Sequence, residues 1–97
     1  MREPSQIDFY HGWMIELAEA EGGFYTICRS PYGKHFFNRQ EIHPSSFRAF
    51  AAARAFINQS VACHAMLDFL REAYAVGWVD VDEWKSLSQS VKQMLLA

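Results

Sequence analysis

Tyr10-His11-Gly12-Trp13-Met14-Ile15-Glu16-Leu17, Glu21-Gly22-Gly23, Phe24-Tyr25-Thr26-Ile27-Cys28-Arg29, Ser30-Pro31-Tyr32-Gly33 and Lys34-His35-Phe36-Phe37 read as three strands parted by two turns. In the first run Trp13, Ile15 and Leu17 fall on one face and Tyr10, Met14 and Glu16 on the other, the two-residue period of a half-buried strand. Paired glycines at 22 and 23 supply the positive φ that a tight hairpin needs. The second run is aromatic and β-branched, the composition that suits a pleated surface. Ser30-Pro31-Tyr32-Gly33 presets a turn through proline at its second position. The reading is a three-stranded antiparallel β-meander over 10–38, preceded by a polar, flexible N-terminus at 1–8.

Pro44-Ser45-Ser46 then opens a helix, because a serine hydroxyl can accept a hydrogen bond from a free amide of the first turn. This helix is expected over 46–76, ending before Gly77. At 1.5 Å per residue it would be about 45 Å long, more than one small sheet can cover. Its apolar stripe also changes side. Phe47, Phe50, Ile57 and Val61 share one side, whereas Phe56, Cys63, Leu67, Leu70 and Tyr74 lie roughly half a turn away at 100° per residue. Either the helix bends near Asn58-Gln59-Ser60, or its halves face different partners. The second half has an obvious neighbour. Asp80-Val81-Asp82-Glu83 carries the spacing of a capping box, and Val81, Trp84, Leu87, Val91, Met94 and Leu95 form a stripe over a helix at 81–95. A short link at 77–79 makes the two an antiparallel hairpin. The fold class is therefore α+β, in the order β-β-β-α-α, in a single domain of 97 residues.

The hydrophobic fraction of 51% excludes a disordered chain and suffices for a core without disulfides or metal. No apolar run approaches the roughly 18 residues of a membrane span, and Met1 to Gln6 has no signal-peptide character. Two cysteines, Cys28 and Cys63, do not make a secreted scaffold. A cytoplasmic protein with reduced thiols is expected.

Chemistry-bearing residues are few. His11, His35, His43 and His64 fall into no metal-ligand spacing with each other or with the cysteines. Cys28 sits mid-strand and Cys63 on an apolar helix face, as small core residues do. Carboxylate pairs and glycine-rich phosphate loops are missing as well. The expectation is a non-enzymatic protein with no cofactor, no metal and no membrane attachment.

Charge is uneven although the net value is only −2. Residues 1–23 set Arg2 against Glu3, Asp8, Glu16, Glu19 and Glu21, whereas 24–58 set Arg29, Lys34, Arg39, Arg48 and Arg54 against Glu41 alone. An acidic start and a basic middle can neutralise each other in three dimensions, or the middle can serve an anionic partner. Arg29, Tyr32, Lys34 and Arg39 alternate cations with rings, as surfaces that bind nucleic acid do.

Two resemblances bear on this. The order of three strands and an alanine-rich helix, Phe50-Ala51-Ala52-Ala53-Arg54-Ala55-Phe56, resembles HicB-like antitoxin domains and AP2/integrase-type DNA-binding modules. That likeness implies a sheet able to meet nucleic acid, although an overall negative charge departs from a DNA-reading module. Across its whole length the chain resembles short uncharacterised proteins of photosynthetic bacteria. The residues concerned are Gly12-Trp13-Met14-Ile15, Ser30-Pro31-Tyr32-Gly33 and Glu83-Trp84. The leading expectation is a small protein–protein interaction module, a homodimer or an adaptor, meeting its partner through Met66, Phe69, Leu70 and Tyr74. The alternative is a nucleic-acid-associated regulator using the basic sheet, with weak binding.

Overall fold

The computed structural model describes residues 6–31, 33, 35–37 and 41–96. Four strands, β1 (Ile7–Tyr10), β2 (Trp13–Ala20), β3 (Gly23–Arg29) and β4 (His35–Phe37), precede two helices, α1 (Ser46–Ala75) and α2 (Val81–Leu96). All strand pairings are antiparallel and the sheet order is β1-β2-β3-β4. This is the expected α+β meander followed by two helices, with one strand more than the sequence reading supplied.

The additional strand is β1, drawn partly from the stretch expected to be a flexible start. Ile7 pairs with Glu16 and Tyr10 with Trp13, so His11-Gly12 is a two-residue turn. Both turn residues have positive φ, 50° and 79°, the requirement of a type I′ hairpin whose twist matches that of its strands. Gln6 already belongs to this ladder, its carbonyl accepting from the Leu17 amide at 2.9 Å. The second turn is Glu21-Gly22, since Ala20 pairs with Gly23. In the third, the Gly33 amide donates to the Ser30 carbonyl at 3.0 Å, closing the four-residue turn expected there. Tyr32 lies outside the described residues.

The chain divides into two compact units, residues 1–57 and 58–97. In the first, Trp13, Ile15, Leu17, Thr26 and Cys28 are buried on one face of the sheet. Ile15 pairs with Cys28 and Leu17 with Thr26, so these side chains stack in rows across β2 and β3. Ala49, Ala53 and Ile57 of α1 are fully buried, and Ala53 and Ile57 share one core with Trp13, Ile15 and Cys28. Two alanines a turn apart leave room for the helix backbone to approach the sheet closely. That is why the contact line runs through small residues, with Phe50 and Phe56 flanking it. Phe47 does not join them and is 78% exposed. Trp13 meets Phe56 edge-on, with ring centroids 6.2 Å apart.

The Ser45 hydroxyl caps α1 by accepting from the Arg48 amide at 3.2 Å. At the other end Gly77 has a φ of 84°. The Trp78 amide donates to the Ala73 carbonyl and the Gly77 amide to that of Tyr74, the paired bonds of a Schellman turn. The helix is continuous from Ser46 to Ala75, and its change of apolar side falls where one unit ends and the other begins. α2 starts with the expected capping box, Asp80 and Glu83 each accepting the other's amide at 2.8 and 3.0 Å. The Glu83 amide, with the Glu83 side chain and the Asp82 amide in support, holds the Asp80 carboxyl below its ordinary value. No helix among the described residues is long and apolar enough to cross a membrane.

Candidate functional site

The second unit is a hairpin of the α1 segment from Asn58 and α2. Cys63 and Ala73 of α1 and Ser88 and Val91 of α2 are buried. Tyr74 stacks on Trp84 with centroids 4.9 Å apart, and the Gln59 amide group donates to the Met94 carbonyl at 2.7 Å. Residue 74 meeting 84 and residue 59 meeting 94 set the antiparallel register. Cys63, Leu67, Leu70 and Tyr74 thus form the line that faces α2.

Of the four residues expected to meet a partner, the structure separates two from the rest. Leu70 is half-buried on the α2-facing line, and Tyr74, although partly exposed, is committed to Trp84. Met66 and Phe69 lie to one side of that line at 100° per residue. Phe69 is 59% exposed and meets Trp78, which is 73% exposed, with centroids 6.5 Å apart. The Schellman turn carries Trp78 back beside the last turns of α1. Helical spacing puts Leu87 and Met94, both exposed, on the corresponding side of α2, where the Gln59–Met94 bond ties the helices together. The hairpin therefore has an apolar flank of Met66, Phe69, Trp78, Leu87 and Met94. Trp78 was missed from sequence because it lies past the end of the helical period.

The basic sheet reads differently. Arg29 lies on the sheet face opposite the core and donates to Glu16 at 3.3 Å; Arg54 of α1 donates to Asp8 at 2.7 Å. Hydrogen bonding from Arg54, with help from the Phe9 amide, holds the Asp8 carboxyl below its ordinary value. Two cations of the basic middle are thus partnered by carboxylates of the acidic start. Lys34 and Arg39 lie outside the described residues, as does Tyr32, so of the four residues proposed for nucleic acid only Arg29 is placed.

β1 is an edge strand with Ile7 and Phe9 exposed. Ile7 and Phe9 turn their backbone groups to the open edge, but the Phe9 amide is taken by the Asp8 carboxylate at 2.9 Å. Such local capping, with a strand of only four residues, disfavours addition of another strand.

Cys28 is fully buried and burial pushes its thiol up to about 11, against a smaller opposing pull from the Thr26 hydroxyl. A thiol so placed stays protonated at neutral pH, unlike an activated nucleophile. Among the described residues, no group of three histidine, cysteine or carboxylate side chains could hold a metal ion. No family model, curated protein or solved structure matches the chain.

Proposed function

We propose that this chain is a small interaction module, non-enzymatic, that self-associates through the apolar flank of its helical hairpin. The observation that carries the reading is the Phe69–Trp78 pair, two large rings in mutual contact and mostly open to solvent. Met66, Leu87 and Met94 extend the same surface. Rings flanked by methionines are the residues that interfaces favour, since they bury much area at little cost in side-chain freedom. A twofold partner presents an identical flank, so the contact closes on itself and leaves no second patch exposed.

Light scattering on the purified chain is expected to give about twice the 11.2 kDa of one copy at micromolar concentration. Phe69→Glu is expected to convert it to a folded monomer with an unchanged far-ultraviolet circular dichroism spectrum, because the altered residue is exposed. A wild-type mass of one copy across that range would overturn self-association.

The sheet reading, in which Arg29, Tyr32, Lys34 and Arg39 meet nucleic acid, draws less support because Arg29 and Arg54 already hold carboxylates. We expect weak binding that disappears with added salt, since each released counterion contributes to the salt slope. Replacing Arg29, Lys34 and Arg39 together by glutamine should abolish it in a mobility-shift assay. Tight, sequence-selective binding at physiological salt would reverse the order of the two readings.

A further inference from the structure

The flank of the hairpin opposite Phe69 and Trp78 has another character. Residues 58–97 contain three lysine or arginine side chains, Arg71, Lys85 and Lys92, and all three line one groove of about 570 Å³. The same segment holds five carboxylates, of which only Asp68 reaches the groove, as the partner of Arg71. A segment that is acidic overall therefore gathers its positive charge in one place. The gathering follows from helical spacing. His64 and Arg71 lie two turns apart on α1, and Lys85 and Lys92 two turns apart on α2, so each pair spans about 10 Å along its helix.

The groove also has the fittings of a ligand site. Leu67 and Trp84, both half-buried, give it apolar walls, and buried Ser88 adds a hydroxyl. The His64 Nδ1 lies 2.7 Å from the Ser60 carbonyl oxygen, which can only accept, so Nδ1 carries the proton. The Nε2 atom is then the nitrogen left for the groove. Its volume falls in the range of small-molecule sites, which combine apolar walls with a few polar groups.

We propose that this groove binds a nucleoside polyphosphate or a closely similar phosphate-bearing small molecule, with its flat apolar part against Leu67 and Trp84. One carboxylate cannot satisfy three cations spread over two helical turns. A chain of phosphates carries three or four negative charges over a comparable length, and guanidinium and ammonium groups bind phosphate oxygens through charge-assisted hydrogen bonds. The site is independent of the apolar flank.

The test is a nitrogen-15 correlation titration of the full chain with magnesium-free ATP, inorganic tripolyphosphate and a glutamate-rich peptide. ATP is expected to move amides of residues 64–71 and 84–92, and to bind at least about fivefold more tightly than tripolyphosphate, the share of the apolar walls. Lys85→Gln with Lys92→Gln should weaken ATP by at least about tenfold. Asp68→Asn should strengthen it by freeing Arg71, an effect that loss of folding cannot mimic. Equal affinity for ATP and tripolyphosphate, a response spread to Arg48 and Arg54, or preference for the acidic peptide would each overturn the proposal.

Discussion

Gly23→Ala is expected to remove about 3 to 5 kcal/mol of stability, combining backbone strain with two lost hydrogen bonds. Gly23 opens β3 with a φ of 153°, and a Cβ built on it would strike the His43 backbone carbonyl. That carbonyl accepts from the Phe24 amide at 2.8 Å, and the His43 amide donates back to Phe24 at 2.7 Å. The chain leading into α1 is pinned to the sheet at this point, and the nearest obstruction is backbone, which cannot move aside as the neighbouring Ile42 side chain could. Gly22 is the control. It too has positive φ, 91°, but nothing lies within 4 Å of an added Cβ. Gly22→Ala should therefore cost only the strain, about 1 to 2 kcal/mol. Urea unfolding of the pair separates them, and equal losses would show that residues 42–43 are not held as described.

Ile15→Ala is the second large loss, about 2 to 5 kcal/mol. Ile15 is among the largest fully buried side chains and sits in one cluster with Trp13, Cys28, Ala53 and Ile57. Truncation leaves a cavity that β2, paired on both sides, cannot close. Its neighbour Glu16 points to the other face and holds Arg29 in a partly exposed ion pair. Glu16→Ala should cost no more than about 1 kcal/mol, as exposed pairs do. Similar midpoints for the two variants would remove the assignment of faces on β2.

Strands β2 and β3 were legible because alternation and turn chemistry agree there: Trp13, Ile15 and Leu17 all point one way, and the glycine-rich stretch from Glu21 marks the bend, made by Glu21-Gly22 with Gly23 opening β3. β1 was not. Ile7-Asp8-Phe9-Tyr10 is four residues long, and its turn places His11, a residue uncommon at positive φ, where Asn or Gly gives the usual signal. The helix was legible in extent and partly in facing: Ile57 and Phe50 join the sheet core as their spacing suggests, whereas Phe47 and Val61 stay exposed. Size-weighted reading favoured Phe47, while the buried line runs through Ala49 and Ala53. Sequence hydropathy records how apolar a side chain is, whereas close approach of a helix to a sheet rewards how small it is. At the candidate site, Phe69 and Met66 stood out because they interrupt the α2-facing period. Trp78 reaches Phe69 only through the geometry of a helix end. The cationic groove was the least visible, since its charges come from two helices and assemble only when these pair.

The meander order of the sheet has a kinetic corollary. Each strand pairs only with its neighbours in the chain, and two of the three connections are two-residue turns. No pairing must wait for a long loop to close, so the entropic barrier to assembling the sheet is low. Hairpins of this kind form in about 1 to 10 μs and helices faster still. The distant contacts of the first unit must then form, among them the Phe24–His43 bridge, the Arg54–Asp8 ion pair and the packing of Ala53 and Ile57 on the finished sheet. Docking of α1 is therefore where the transition state should lie, and substitutions at Ala53 should slow folding more than those in the His11-Gly12 turn.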